Sequence, residues 1–120
     1  MKVLIIDDNA NINKMLKQFI ELKGHQCVTV TDGRNGLELI RKQKFDVIVL
    51  DLAMPEFTGF DVVNELSKTG EIKNQNIIVL TAATVSKDQI DSLYKAGVKS
   101  FLKKPVSPEV LLTTIMSSTK

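Results

Sequence analysis

One cysteine, Cys27, stands among 120 residues. A disulfide within the chain is therefore excluded, and so is a zinc site that needs two thiolates. A reducing compartment, the cytoplasm, is the expected setting. Long apolar runs are also missing. The start, Met1-Lys2-Val3-Leu4-Ile5-Ile6, carries a positive charge and an apolar run, but that run stops at Asp7-Asp8, far short of a signal peptide. No stretch approaches the ~20 apolar residues of a membrane span, so no membrane insertion is expected. Excess charge of one sign is scarce too. Sixteen basic against 14 acidic residues leave +2 with His25 neutral. That balance excludes a chain that grips nucleic acid through bulk charge, and no direct nucleic acid binding is expected. No linker, low-complexity tract or internal repeat interrupts the sequence.

What remains is ordinary globular material. Hydrophobic residues make up 43% and charged residues 25%. The length fits one domain, residues 1–120, with a substantial buried core. Val3-Leu4-Ile5-Ile6, Val47-Ile48-Val49-Leu50 and Ile77-Ile78-Val79-Leu80 are short continuous apolar runs, the pattern of parallel strands covered on both faces. Cys27–Val30 and Ser100–Leu102 are weaker strand candidates. Between them lie helical patterns. Ile12, Met15, Leu16, Phe19 and Ile20 share one helix face, ended by Gly24. Gly36, Leu37 and Ile40 mark a second helix, Phe60, Val63 and Leu66 a third, and Ile90, Leu93 and Tyr94 a fourth that stops near Gly97. Ser107-Pro108 reads as an N-cap with proline at the first helical position, opening a fifth. Strand and helix alternating five times imply an α/β fold: a doubly wound parallel sheet with helices on both faces.

In such sheets, ligands bind at the carboxyl ends of the strands. Here Asp7-Asp8 follow the first strand, Asp51 the third, Thr81 the fourth and Lys104-Pro105 the fifth. One aspartate after a strand is commonly a turn or cap residue. Four strand ends with complementary chemistry converging on one edge are not explained that way. Three carboxylates in one place repel one another and tend to hold protons. Mg²⁺ suits such an oxygen-rich site with few protein ligands. With Lys104 the site sums to −2, which one Mg²⁺ neutralises. An ionised Asp51 beneath a metal and an ammonium meets the requirements of a nucleophile for phosphoryl transfer.

These residues resemble the receiver domain of two-component response regulators, of the single-domain chemotaxis type, along essentially the whole chain. Asp7-Asp8 resembles the family's acidic pair. Asp51-Leu52-Ala53-Met54-Pro55 with Gly59 resembles its phosphoacceptor segment, Thr81-Ala82 its switch hydroxyl and small neighbour, and Ala96-Gly97 through Phe101, Lys104 and Pro105 its closing Lys-Pro segment. The resemblance implies a flavodoxin-like (βα)5 fold with strand order 2-1-3-4-5. It implies that Asp51 accepts a phosphoryl group from the phosphohistidine of a histidine kinase or phosphotransfer protein. Asp8 would bind Mg²⁺ directly, Asp7 mainly through water, with Asp51 and the Ala53 backbone carbonyl as further ligands. Thr81 and Lys104 would contact phosphoryl oxygens, and the Lys104–Pro105 peptide would be cis. Phe101 would turn inward when Thr81 moves, reshaping a surface of the fourth helix, fifth strand and fifth helix that an unknown output protein reads. Phe101 lacks the hydroxyl of a tyrosine, so an output that depends on that hydroxyl is not expected. The chain would load and lose its own phosphoryl group without turning over an external substrate.

Three other readings compete. A degenerate receiver would act as a binding module without phosphorylation. A receiver cut from a longer transcriptional regulator would look the same as a free-standing one. A dehalogenase-type phosphatase would need a general acid two residues beyond Asp51, where Ala53 cannot transfer a proton. The resemblance also implies that Ala53 and Ala83 border the path of water toward an acyl phosphate, where neither methyl can orient that water or block it. Elsewhere, His25 reads as a solvated loop residue, Cys27 as a buried thiol, and Met15, Met54 and Met116 as core or pocket lining. Strand alternation should point Lys103 and Lys104 in different directions, one of them at the site.

Overall fold

The computed structural model describes residues 1–119. Five parallel strands, β1 (Lys2–Ile6), β2 (Gln26–Val30), β3 (Val47–Leu50), β4 (Ile77–Thr81) and β5 (Ser100–Lys103), form one sheet in the order β2-β1-β3-β4-β5. Five helices alternate with them: α1 (Ala10–Leu22), α2 (Gly33–Lys42), α3 (Gly59–Thr69), α4 (Lys87–Ala96) and α5 (Pro108–Ser118). This is the doubly wound α/β architecture expected from the alternation of elements. Every residue of β3 and β4 is buried, which is why those segments read as unbroken apolar runs.

Alternation along the strands divides the core in two. Val3, Ile5, Val47, Val49, Ile78 and Leu80 face α1 and α5 through Leu16, Ile20, Leu111 and Ile115. Leu4, Ile6, Ile48, Leu50, Ile77 and Val79 face α2, α3 and α4 through Leu37, Ile40, Val62, Leu66 and Leu93. Each helix opens on a side-chain cap: Asn9, Asp32, Thr58, Ser86 and Ser107, with Pro108 following as expected. These caps satisfy N–H groups that a helix start leaves without internal partners. They also place α1, α2, α4 and α5 close beyond the strands they follow, whereas a longer loop separates α3 from β3.

Three local expectations are corrected. Met116 is 44% exposed, because α5 buries Leu111 and Ile115 and turns Met116 outward; Met15, though 49% exposed, lines an apolar pocket beside Lys104 as expected. Met54 alone is buried core. His25 is half-buried rather than freely solvated: pairing of Lys2 with Gln26 brings the Met1 ammonium 3.1 Å from His25 Nδ1. A short 3-10 turn, Glu71–Asn74, follows α3 and was not anticipated. On α4 only Leu93 is buried, and Tyr94 looks outward.

Two glycines let helices approach the sheet. A Cβ on Gly59 would lie 2.3 Å from the Asp51 backbone oxygen and 2.8 Å from Leu52 Cα. On Gly36 it would meet the end of the Ile6 side chain at 2.6 Å. Backbone cannot yield as a side chain can. Gly59→Ala is therefore expected to destabilise the protein by about 1–3 kcal/mol, and Gly36→Ala by less. Urea unfolding of the two variants beside wild type checks the order.

Candidate functional site

The ends of β1, β3 and β4 share a local device. Asp7 Oδ1 accepts the Asn9 N–H at 2.9 Å, Asp51 Oδ1 accepts the Ala53 N–H at 3.1 Å, and Thr81 Oγ1 accepts the Ala83 N–H at 3.1 Å. In each case a strand-end side chain captures the amide two residues on, as Asx and ST turns do. One oxygen of each aspartate is thereby fixed, and the other is left for the site. Asp7 Oδ2 lies 2.6 Å from Lys104 Nζ, and Asp51 Oδ2 lies 3.3 Å from the same nitrogen. The Asp7 and Asp51 side chains are 3% and 5% exposed, that of Lys104 15%.

The sheet delivers these groups in register. Ile6 pairs with Leu50, and the Asp51 N–H donates to the Ile6 carbonyl at 2.9 Å, so Asp7 and Asp51 leave adjacent strands side by side. The Lys104 N–H donates to the Thr81 carbonyl at 2.9 Å, which extends the β4–β5 ladder one step beyond β5. The Lys104–Pro105 peptide is cis. Lys103 points away from the acidic groups and reaches the Ala83 carbonyl at 3.4 Å.

Asp8 is exposed, yet carboxylate oxygens of Asp7, Asp8 and Asp51 lie within 4.8 Å of one another. Three hard oxygen donors at that spacing fit a small divalent cation. Ala53 is exposed above Asp51, and Thr81 is fully buried. Thr81 continues the parity of Ile77 and Val79, and Phe101 pairs with Val79, so both belong to the α2–α4 face; Phe101 is half-buried against that cluster. Leu102 and Val106 belong to the opposite cluster.

Charge and burial oppose each other here. Burial pushes the Asp7 carboxyl above the usual aspartate range, although the hydrogen bonds from Lys104 and the Asn9 N–H pull it back. Burial alone would lower the Lys104 ammonium. The bond and charge of Asp7, followed by those of Asp51, outweigh it and hold Lys104 above the ordinary lysine value. Both partners of one ion pair are thus shifted upward. The geometry gives the reason: Asp7 is the more buried of the two, and the nearby Asp51 charge opposes ionisation of Asp7 while favouring that of Lys104.

One buried residue of this region escaped the sequence reading. Asn13 is 3% exposed on α1, and its Nδ2 donates to the Asp7 carbonyl at 2.8 Å and the Val30 carbonyl at 3.3 Å. A signal for it exists, since Asn13 lies on the same helix stripe as Leu16 and Ile20, at i+3 and i+7.

Residues 3–116 match the family described as the response regulator receiver domain. The chain belongs to that family. It is a receiver domain of two-component signalling. Among curated relatives, the probable transcriptional regulator ycf27 of Guillardia theta is 37% identical over 110 residues, which cover 92% of this chain and 42% of that protein. Protein PilH of Pseudomonas aeruginosa is 32% identical over 114 residues, 95% of this chain and 93% of PilH. The receiver domain thus spans less than half of the ycf27 regulator and nearly all of PilH. Among solved structures, chemotaxis protein CheY4 of Vibrio cholerae superposes with a TM-score of 0.86 at 34% identity, covering 98% of this chain and 97% of CheY4. The response regulator TrrA of Thermotoga maritima, solved in complex with Mg(2+)-BeF, superposes with a TM-score of 0.81 at 26% identity, covering 98% and 97%. No helix among the described residues is long and apolar enough to cross a membrane.

Replacing Lys104 by methionine leaves the buried carboxylates of this receiver without their counter-charge. Lys104→Met is expected to lower stability by about 1–3 kcal/mol near pH 7. The sign with pH follows from the shifts. A carboxyl whose folded pKa is raised destabilises the fold once ionised, and that penalty vanishes as pH falls through its folded pKa. The deficit of the variant therefore shrinks toward acid. Lys104, with its folded pKa raised, contributes stability at neutral pH that is lost only as pH rises through that value. Denaturant melts of both proteins from pH 7 to pH 3.5 check this convergence.

Proposed function

We propose that Asp51 accepts a phosphoryl group from a phosphohistidine on a histidine kinase or phosphotransfer protein, in a site that Mg²⁺ completes. The observation that carries this reading is the state of the Asp51 carboxylate. It is buried at the end of the central strand, with one oxygen tied to the Ala53 N–H and the other 3.3 Å from the Lys104 ammonium, inside a trio of carboxylates. Asp8, Asp7, Asp51 and the Ala53 carbonyl are the candidate ligands, and TrrA supports the assignment because it was solved with Mg(2+)-BeF. Bound there, Mg²⁺ would offset the negative charge of the carboxylates and of the transferring phosphoryl oxygens.

The protein's own groups supply the rest. An Asp51 oxygen attacks phosphorus, the phosphorus–nitrogen bond of the donor breaks, and the imidazole leaves with its electron pair and takes a proton. Lys104, already within reach of Asp51, follows charge onto a phosphoryl oxygen. Thr81 Oγ1 accepts from the Ala83 N–H, which leaves its own proton free to donate to another. That new bond draws Thr81 inward, and Phe101, on the same face of the sheet, takes up the space. The α4–β5–α5 surface then has two forms, and a partner with unequal affinity for them reads the state. The output partner is a separate protein, or a further domain of a longer chain as in regulators of ycf27 length. Residues 1–120 act as one receiver unit in either arrangement. The role is regulatory: Ala53 stands where a dehalogenase-type phosphatase needs its acid, and an intact set of strand-end groups argues against a degenerate binding module.

Incubation with Mg²⁺ and a small acyl phosphate should add one phosphoryl mass to wild type and none to Asp51→Asn, whose amide is a poor nucleophile. The stability of Asp51→Asn should hold or rise, since one of three repelling carboxylates is gone. Wild-type labelling of the Asn variant would overturn the assignment. The phosphoryl lifetime should respond to the exposed Ala53 and half-buried Ala83. Ala53→Asn is expected to speed hydrolysis by orienting water, and Ala83→Tyr to slow it by covering phosphorus. Decay rates under matched Mg²⁺ check both directions, and equal rates in all three proteins would remove these positions from control of water.

A further inference from the structure

Asp7 and Asp8 are adjacent, but different forces hold them. The Asp7 carboxylate is clamped on both oxygens, by the Asn9 N–H and by Lys104. The Asp8 carboxylate accepts no hydrogen bond from the described residues and is exposed. Beside its own χ rotamers, its position relative to Asp7 is set by the backbone, through ψ of Asp7 and φ of Asp8. Those two angles flank a single peptide unit, the one whose carbonyl belongs to Asp7.

Asn13 grips that carbonyl. Its Nδ2 donates one hydrogen to the Asp7 carbonyl at 2.8 Å and directs the other to the Val30 carbonyl at 3.3 Å. The Asp7 N–H reaches the same Val30 carbonyl at 3.1 Å. Asp7 is thus anchored to the end of β2 on its amide side directly and on its carbonyl side through Asn13. At 3% exposure an asparagine is a poor choice for filling space, since burying an amide is unfavourable unless its hydrogen bonds are made. Leu16 and Ile20 show what packing alone selects on that stripe. The Asn13 amide uses its two donors to tie the turn that carries the acidic pair to the end of β2, while its Oδ1 is buried without a partner among the described residues.

We infer that Asn13 is a positioning residue of the cation site: it fixes the Asp7–Asp8 peptide and through it the aim of the Asp8 carboxylate. The inference rests on the reading of Asp7, Asp8 and Asp51 as a Mg²⁺ site and adds a residue to it that touches neither metal nor phosphoryl group. Groups that hold metal ligands in place are commonly worth 10–100-fold in affinity.

The test compares wild type with Asn13→Leu, Asn13→Ala and, as a control for loss of packing on the same helix, Ile20→Val. Two readouts are taken on unphosphorylated protein: the Mg²⁺ dissociation constant by calorimetry, and exchange of the Asn9 amide, held by Asp7, without metal. Both Asn13 variants are expected to bind Mg²⁺ about 10–100-fold more weakly and to exchange faster at Asn9, while Ile20→Val keeps wild-type values at both. The alanine variant serves if leucine overfills the site. Wild-type Mg²⁺ affinity in a folded Asn13 variant overturns the inference and leaves the cation reading intact, as does an equal loss in Ile20→Val. A wild-type protein without saturable Mg²⁺ binding overturns the cation reading and this role with it.

Discussion

The Lys104 ammonium lies between the carboxylates of Asp7 and Asp51, and the arrangement of this receiver domain depends on that shared cation. Its partners stand 97 and 53 residues away in sequence. They meet only when β5 has joined β4, β4 has joined β3, and β3 has joined β1. A buried ion pair is weak evidence for net stability, because desolvation opposes attraction. It is stronger evidence for specificity. Any other strand order or register would leave two carboxylates buried without a counter-charge, which is far more unfavourable than losing a surface pair.

A second constraint operates within each strand end. Asp7, Asp51 and Thr81 all accept the N–H two residues ahead, so each ends its strand with the same atoms that shape the site. A turn residue and a functional residue are usually treated as rival explanations of an aspartate after a strand. Here one oxygen serves each purpose. That economy explains how a domain of this size places four chemical groups on one edge with little loop between them: α1 starts three residues beyond Asp7, and Gly59 lets α3 start against the backbone of Asp51.

Much of this was legible in the sequence because burial on both faces writes itself as unbroken apolar runs, and because polar residues after such runs fall on one edge. Val47–Leu50 followed by Asp51 needed no tertiary information. What escaped depends on contacts between segments remote in sequence. His25 is tied to Met1 only because β1 and β2 pair in a particular register. Met116 read as core because the α5 pattern is apolar over more of its circumference than the sheet can cover. Asn13 was passed over because a polar residue inside an apolar stripe reads as a gap in the pattern, when its donors are what the turn after β1 requires. Hydrophobic periodicity reports which face is buried and says nothing about which buried positions carry hydrogen bonds.

The strands also differ in how firmly they are held. All four residues of β3 are buried between two neighbours, whereas β5, at the sheet's edge with one neighbour, has none fully buried. Local opening is least favourable where burial is complete and easiest at such margins. Asp51 therefore stands on the strand that yields least, while Phe101 stands on one of the two edge strands, where opening is easier. In the proposed switch, displacement that begins beside Asp51 would be taken up at β5 more readily than within β3. On that reading the sheet would act as a lever with β3 as its fulcrum and β5 as its free arm, the arm a second protein would touch.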